Sequence, residues 1–178
     1  MLDIIKVIIL GIVEGITEWL PVSSTGHLIL VGNVLKPSMS DAFMEMFDVV
    51  IQLGAIMAVV VLYFHKLNPF SPTKTEKQKM LTWQMWFKVV IASVPAAIVG
   101  LLFNDILNEI FYKPLPVAIM LIVYGILFII IEKNNAGKTP SVTRISQLNL
   151  QMLLWIGFFQ MLALIPGTSR SGATIIGA

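Results

Sequence analysis

Ionisable side chains stand inside apolar sequence of bilayer length, and they do so twice. The first such segment, residues 11–27, carries Glu14, Glu18, Ser23, Ser24, Thr25 and His27. The second, residues 157–174, carries Thr168, Ser169, Arg170, Ser171 and Thr174. A charge at membrane depth costs roughly 2.5–3.5 kcal/mol on insertion scales, and residues kept there usually mark function. Facing lipid, Glu14, Glu18 and Arg170 would together cost on the order of 8–10 kcal/mol, comparable with the whole stability of a domain. A chain that keeps them uses them.

The rest of the composition agrees with a membrane setting. Hydrophobic residues make up 57% of the 178 and charged residues 12%, against about 25% charged in soluble domains. Mean hydropathy is +0.86. Such a chain is expected to form a single all-α integral membrane domain over residues 1–178. A net charge of +2 without a basic tract argues against nucleic acid. The absence of cysteine excludes disulfides, thiolate metal sites and thiol nucleophiles. The first residues read as mature structure rather than a signal peptide: Asp3 precedes Lys6, the apolar run 7–13 is short, and Glu14 follows it without a cleavage signature.

Three segments read as ordinary spans: 46–65, 83–103 and 115–131. About twenty residues at 1.5 Å each cross a hydrocarbon core of ~30 Å. Pro95 is expected to bend the second. The stretch 66–82 holds Lys66, Lys74, Lys77 and Lys79 against Glu76, and 132–149 holds Lys133, Lys138 and Arg144 against Glu132. Between them, 104–114 is on balance acidic, with Asp105, Glu109 and one lysine, Lys113. The positive-inside rule places the two basic stretches in the cytoplasm, and 36–45 and 104–114 outside.

The other apolar pieces are interrupted. Pro21-Val-Ser-Ser-Thr-Gly26 divides the first, and Pro166-Gly-Thr-Ser-Arg-Ser-Gly172 follows the last. Proline ends one helix, and small hydroxyl residues cap the next. Irregular backbone at membrane depth survives only inside protein or beside a water-filled cavity. Both segments therefore read as re-entrant helix–loop–helix hairpins, 1–35 and 150–178; for the first, the alternative is one continuous kinked span. They resemble each other: Pro21-Val22-Ser23-Ser24 matches Pro166-Gly167-Thr168-Ser169, Gly11 matches Gly157 and Glu14 matches Gln160. An odd number of spans between the copies makes them an inverted repeat whose tips meet near the midplane.

Several side chains carry candidate chemistry. Glu14 and Glu18, spaced i, i+4, share a helical face, and such a pair either shifts its proton affinity or recruits a divalent cation. Ser23, Ser24 and Thr25 precede His27 at a helix start, where backbone N–H groups suit an anion and an imidazole can move a proton. One of the three hydroxyls is expected to serve only as a cap. Gly167-Thr-Ser-Arg170-Ser-Gly172 reads as a phosphate cradle, with a guanidinium able to grip two oxygens. It is not a Walker loop, because no lysine stands in register. Asp48 and Gln52 place a polar stripe on the first ordinary span. Gly11 and Gly15 read as a close helix contact, Trp83 and Trp86 as an interfacial belt, and the ten methionines as packing. Together these residues suggest a phosphorylated amphiphile as ligand.

Glu14-Gly-Ile-Thr-Glu18-Trp-Leu-Pro-Val-Ser-Ser-Thr-Gly-His27 and Pro166-Gly-Thr-Ser-Arg-Ser-Gly-Ala-Thr174 resemble the two signature motifs of bacterial undecaprenyl-diphosphate phosphatases, the bacitracin-resistance family. Asp48-Val-Val-Ile-Gln-Leu-Gly54 resembles a further family segment. The resemblance implies removal of the terminal phosphate from undecaprenyl diphosphate, recycling the cell-wall carrier lipid, with Mg²⁺ or Ca²⁺ assisting. It implies a multi-pass protein of the bacterial cell membrane whose site opens to the extracytoplasmic side, and it allows a homodimer. Carried over by motif, Glu14 and Glu18 would bind metal or handle protons and Arg170 would hold the diphosphate. Ser24 and His27 are the candidates for nucleophile and acid/base. Ser23, Thr25, Gln52, Gly167, Thr168, Ser169, Ser171 and Thr174 would line the substrate pocket. Family members are longer, so the resemblance implies a C-terminally truncated chain lacking the later spans of the second repeat. The rival function is a transporter or flippase for a phosphorylated lipid, since broken helices around a midplane site are also transporter architecture.

Overall fold

The computed structural model describes residues 2–178, apart from the side chains of Leu2, Asp41, Asn104 and Asn108; Met1 of the first expected hairpin lies outside the described residues. Among the described residues eight α-helices follow one another: α1 (Leu2–Thr17), α2 (Ser24–Leu35), α3 (Asp41–Leu62), α4 (Phe64–Leu67), α5 (Glu76–Phe111), α6 (Pro114–Asn135), α7 (Leu150–Leu162) and α8 (Arg170–Gly177). A 3₁₀ turn, Ile145–Gln147, precedes α7. Stretches of α3, α5 and α6 (Ala42–Leu62, Glu76–Phe103 and Pro114–Asn135) are long and apolar enough to cross a membrane.

These helices run longer than the spans expected from hydropathy, because capping and proline set their ends rather than polarity. The helix expected from residue 46 starts at Asp41, where the Ser40 hydroxyl accepts the Phe43 N–H at 3.3 Å. The second expected span begins instead at Glu76. There Thr75 and Gln78 bond reciprocally, Thr75 N to Gln78 Oε1 at 2.9 Å and Gln78 N to Thr75 Oγ1 at 3.4 Å, as a capping box does. The stretch 104–114, expected outside as a loop, is mostly helix: α5 continues to Phe111 and breaks only before Pro114, which opens α6. Pro95 lies inside α5, which continues through it.

Each polar interruption separates two packed helices. α1 and α2 pack together and are tied at their open end, where Lys6 Nζ donates to the Lys36 carbonyl at 2.9 Å and Ser38 N to Asp3 Oδ1 at 3.1 Å. α7 packs on α5 and α8, while α2 and α8 both touch α6. Lys88, inside the second expected span, is satisfied without water. Its Nζ donates to the carbonyls of Ile145, Ser146 and Leu148 at 2.7, 3.0 and 2.8 Å, fixing the approach to α7 onto α5.

Burial is inverted relative to a water-soluble bundle. Large apolar side chains such as Leu101, Leu102, Val61 and Ile129 are exposed, whereas Glu14, Ser23, Ser24, Thr168 and Ser169 are buried. Trp83 and Trp86 are half-exposed, with Trp86 Nε1 donating to the Leu67 carbonyl at 2.8 Å. α7 meets α5 tightly at Gly157, where an added Cβ would lie 2.6 Å from the Ala92 carbonyl oxygen and 2.9 Å from Pro95 Cγ. Gly157→Val is therefore expected to push α7 off α5 and to destabilise the chain by roughly 1–3 kcal/mol. Gly54→Val, where nothing lies within 4 Å, serves as the control, and thermal melts in detergent compare them.

Candidate active site

Two serines shape the tips of the helical pairs. After Glu18, whose N–H still bonds the Glu14 carbonyl at 2.9 Å, the chain turns and reaches Ser23 at φ 63°, ψ 92°. Backbone of that kind costs a non-glycine residue of order 1–3 kcal/mol, and surrounding contacts must impose it. Ser23 is the N-cap of α2: its hydroxyl accepts the Gly26 N–H at 3.3 Å. Its carbonyl accepts the His27 N–H at 3.2 Å and faces His27 Nδ1 at 2.8 Å. Ser169 repeats the device at α8, accepting the Gly172 N–H at 3.1 Å.

The tips touch through glycine. A Cβ added to Gly26 would lie 3.1 Å from Gly167 Cα. Gly167 itself has φ +95°, and a Cβ there would meet the Val117 carbonyl oxygen at 2.7 Å and Met120 Cβ at 3.0 Å. No other residue type satisfies both the backbone angle and the space.

One cavity of about 450 Å³ opens at this junction. The first tip contributes Glu18, Ser23, Ser24 and Thr25; the second contributes Thr168, Ser169, Arg170, Ser171 and Thr174. Gln52 of α3 and Gln160 of α7 also line it. Residues nearly 150 positions apart in sequence thus share one chamber. Gln160 was not singled out from sequence as a site residue, although its repeat alignment with Glu14 marks it.

Three expected residues face elsewhere. His27 and Gly167 line a neighbouring, mostly apolar cavity of about 440 Å³ with Val22, Leu121, Tyr124 and Phe128; Ser169 borders both chambers. Glu14 lines a third cavity of about 400 Å³ with Glu45, Asp48 and Tyr112, and this one shares Thr25 and Gln52 with the main chamber. The two glutamates expected to act as one pair therefore open into different spaces.

The polar contacts assign different duties to these side chains. Ser24 Oγ donates to Glu18 Oε2 at 2.5 Å, a short charge-assisted bond. Both Glu14 oxygens are buried without a hydrogen-bond partner among the described residues. Ion pairs among the described residues join Asp3 to Lys6 and Glu76 to Lys79, so the Arg170 guanidinium is not neutralised by either glutamate. It stands exposed at the first turn of α8, where the helix dipole also favours an anion. For a divalent cation, the orphaned Glu14 oxygens are suitable donors, whereas Glu18 is committed to Ser24 in the other chamber.

The profile described as "Bacitracin resistance protein BacA" matches residues 7–178. A curated undecaprenyl-diphosphatase of Enterococcus faecalis is 64% identical over 173 residues, covering 97% of this chain and 63% of the relative. Undecaprenyl-diphosphatases of Latilactobacillus sakei and Acetivibrio thermocellus are each 59% identical, over 99% and 100% of this chain and 64% and 65% of theirs. The chain thus spans just under two thirds of the length of these relatives.

Because the sequence contains no cysteine, the junction can be read by cross-linking. A Thr25→Cys, Thr168→Cys double variant is expected to close with a short bis-maleimide. The added Gly167→Val substitution should reduce the yield several-fold by forcing the tips apart, as band shifts on denaturing gels would show.

Proposed function

We propose, since the chain belongs to the bacitracin resistance protein BacA family, that it hydrolyses undecaprenyl diphosphate to undecaprenyl phosphate and inorganic phosphate, recycling the cell-wall carrier lipid. The observation that carries this reading is the single chamber holding Ser24 hydrogen-bonded to Glu18 and, on the opposite tip, Arg170, which has no ion-pair partner among the described residues. The two helix–break–helix units are read as re-entrant hairpins of an inverted repeat with their tips near the midplane. Loop charge favours the basic ends of α4, α5 and α6 in the cytoplasm, and the chamber is read as opening to the extracytoplasmic side.

In this mechanism the terminal phosphate enters the main chamber. Arg170 grips two of its oxygens in a bidentate manner, and the hydroxyls of Thr25, Thr168, Ser169, Ser171 and Thr174 are available to the others. Glu18 takes the Ser24 proton as Ser24 Oγ attacks the terminal phosphorus. The bond from phosphorus to the bridging oxygen breaks, and undecaprenyl phosphate leaves with the bridging electrons. Once Glu18 has released that proton to solvent, it takes one from the water that attacks the phosphoserine phosphorus and returns it to Ser24 Oγ as the bond from phosphorus to Ser24 breaks and inorganic phosphate departs. Arg170 stabilises the charge spread over the equatorial oxygens in both steps. His27, with its Nδ1 proton given to the Ser23 carbonyl, flanks the apolar chamber and orients the tip rather than serving as base. A bound divalent cation, Mg²⁺ or Ca²⁺, would offset phosphate charge, and Glu14 is the carboxylate that would hold it.

Phosphate release from undecaprenyl diphosphate by the purified chain tests this reading. Ser24→Ala and Arg170→Ala are each expected to lower kcat by about 100-fold or more. Arg170→Lys should recover only a part, because a point charge does not replace a fork. The reading fails if the chain moves the lipid between leaflets without releasing phosphate. The assignment of the nucleophile fails if Ser24→Ala retains turnover while His27→Gln abolishes it.

A further inference from the structure

A separate cavity of about 300 Å³ lies between α5 and the segment that leads into α7. Lys66 of α4, Lys88 of α5 and Arg144, just ahead of the 3₁₀ turn, all border it, and no aspartate or glutamate does. None of the three cations has an ion-pair partner among the described residues. Their situations differ. Lys88 gives its three N–H groups to the carbonyls of Ile145, Ser146 and Leu148, so it adds charge to the cavity without a spare donor. Lys66 and Arg144 are exposed, and a guanidinium can fork onto two oxygens. A fourth cation stands behind the wall: Lys74 Nζ donates at 2.8 Å to Oγ1 of Thr82, a buried residue that lines the cavity. Leu81, Met85 and Ile145 make the rest of the lining apolar. Like charges gathered without an acid repel one another until an anion joins them.

We propose that this basic cavity binds the phosphate headgroup of an anionic phospholipid of the surrounding bilayer. Its charge and its height along α5 both point to that ligand. Trp83 and Trp86 are half-exposed and share a turn of α5 with Gln84 and Met85, and aromatic pairs of this kind mark the level of lipid headgroups. Lys88, two residues beyond Trp86, is then only ~3 Å deeper along the helix. Loop charge favours this end in the cytoplasm, where anionic phospholipid gives the leaflet its negative surface potential and where basic pockets between membrane helices take such headgroups. The mixed lining suits an amphiphile better than a free ion. The phosphate meets Arg144 and Lys66, while glycerol and the first acyl carbons rest on Leu81 and Met85. Its binding does not depend on the phosphatase reading, because no residue of the chamber that holds Arg170 borders this cavity. A lipid seated there would join α4, α5 and the approach to α7 from outside.

Lipid retention by the purified chain, read by native mass spectrometry from detergent, tests the site without turnover. Offered phosphatidylglycerol and phosphatidylcholine of equal chain length in equal amounts, the chain is expected to keep one phosphatidylglycerol with a preference of roughly tenfold. Lys66→Gln combined with Arg144→Gln should abolish most of that preference. Both side chains are exposed, so the exchange removes no buried contact. Lys77→Gln combined with Lys133→Gln takes the same charge from exposed positions outside the cavity, and should leave the preference within about twofold, since distant exposed charges are screened. Equal losses in the two double variants would overturn the proposal, leaving only a general attraction of the basic face for anionic lipid. So would a preference that survives Lys66→Gln with Arg144→Gln. Inorganic phosphate, titrated by calorimetry, is the other source of the same chemistry. Saturable phosphate binding that disappears in the Lys66, Arg144 variant, in a chain without lipid preference, would give the cavity to the soluble ion and overturn the lipid assignment.

Discussion

The contact between Gly26 and Gly167 is the constraint on which everything polar in this molecule depends. Two backbone turns approach to the limit that a missing Cβ permits, and only there can charges distant in sequence share one space. The approach is also what keeps those charges tolerable in a membrane. Glu14, Ser23, Ser24, Thr168 and Ser169 are shielded by each other's helices while leucines and isoleucines face outward. Serine caps, a left-handed Ser23 and a left-handed Gly167 are the local means by which the chain ends one helix and starts the next at each tip.

Division of labour between the two glutamates follows from one proton. Ser24 has a single hydroxyl hydrogen and donates it to Glu18 Oε2. Glu14, one turn earlier, is left facing a different cavity with its lone pairs unused. An i, i+4 spacing specifies a common face but not a common cavity, because the neighbouring α2 and α3 partition what lies in front of that face.

Much of this was legible in the residues. Hydropathy located α3, α5 and α6, and proline with hydroxyl residues located both interruptions. Helix ends were not legible from hydropathy, since Ser40, the Thr75–Gln78 box and Pro114 act through hydrogen bonds and sterics that polarity does not report. The grouping of Glu18, Ser24, Thr168, Ser169 and Arg170 followed from the repeat, whereas the position of His27 did not. A histidine one turn into a helix can face either side of it, and the Ser23 carbonyl captures its Nδ1 on the apolar side. The role of Lys88 was equally hidden, because its carbonyl partners lie nearly sixty residues away.

Lys88 has a consequence for how such a chamber can move. By clamping three carbonyls ahead of α7, it makes the arginine-bearing hairpin and α5 one lever, while the acid-bearing hairpin leans on α3. α6 is the hinge pin touched by both tips. Rocking between the two levers would alter the gap between the two tips while leaving every helix intact.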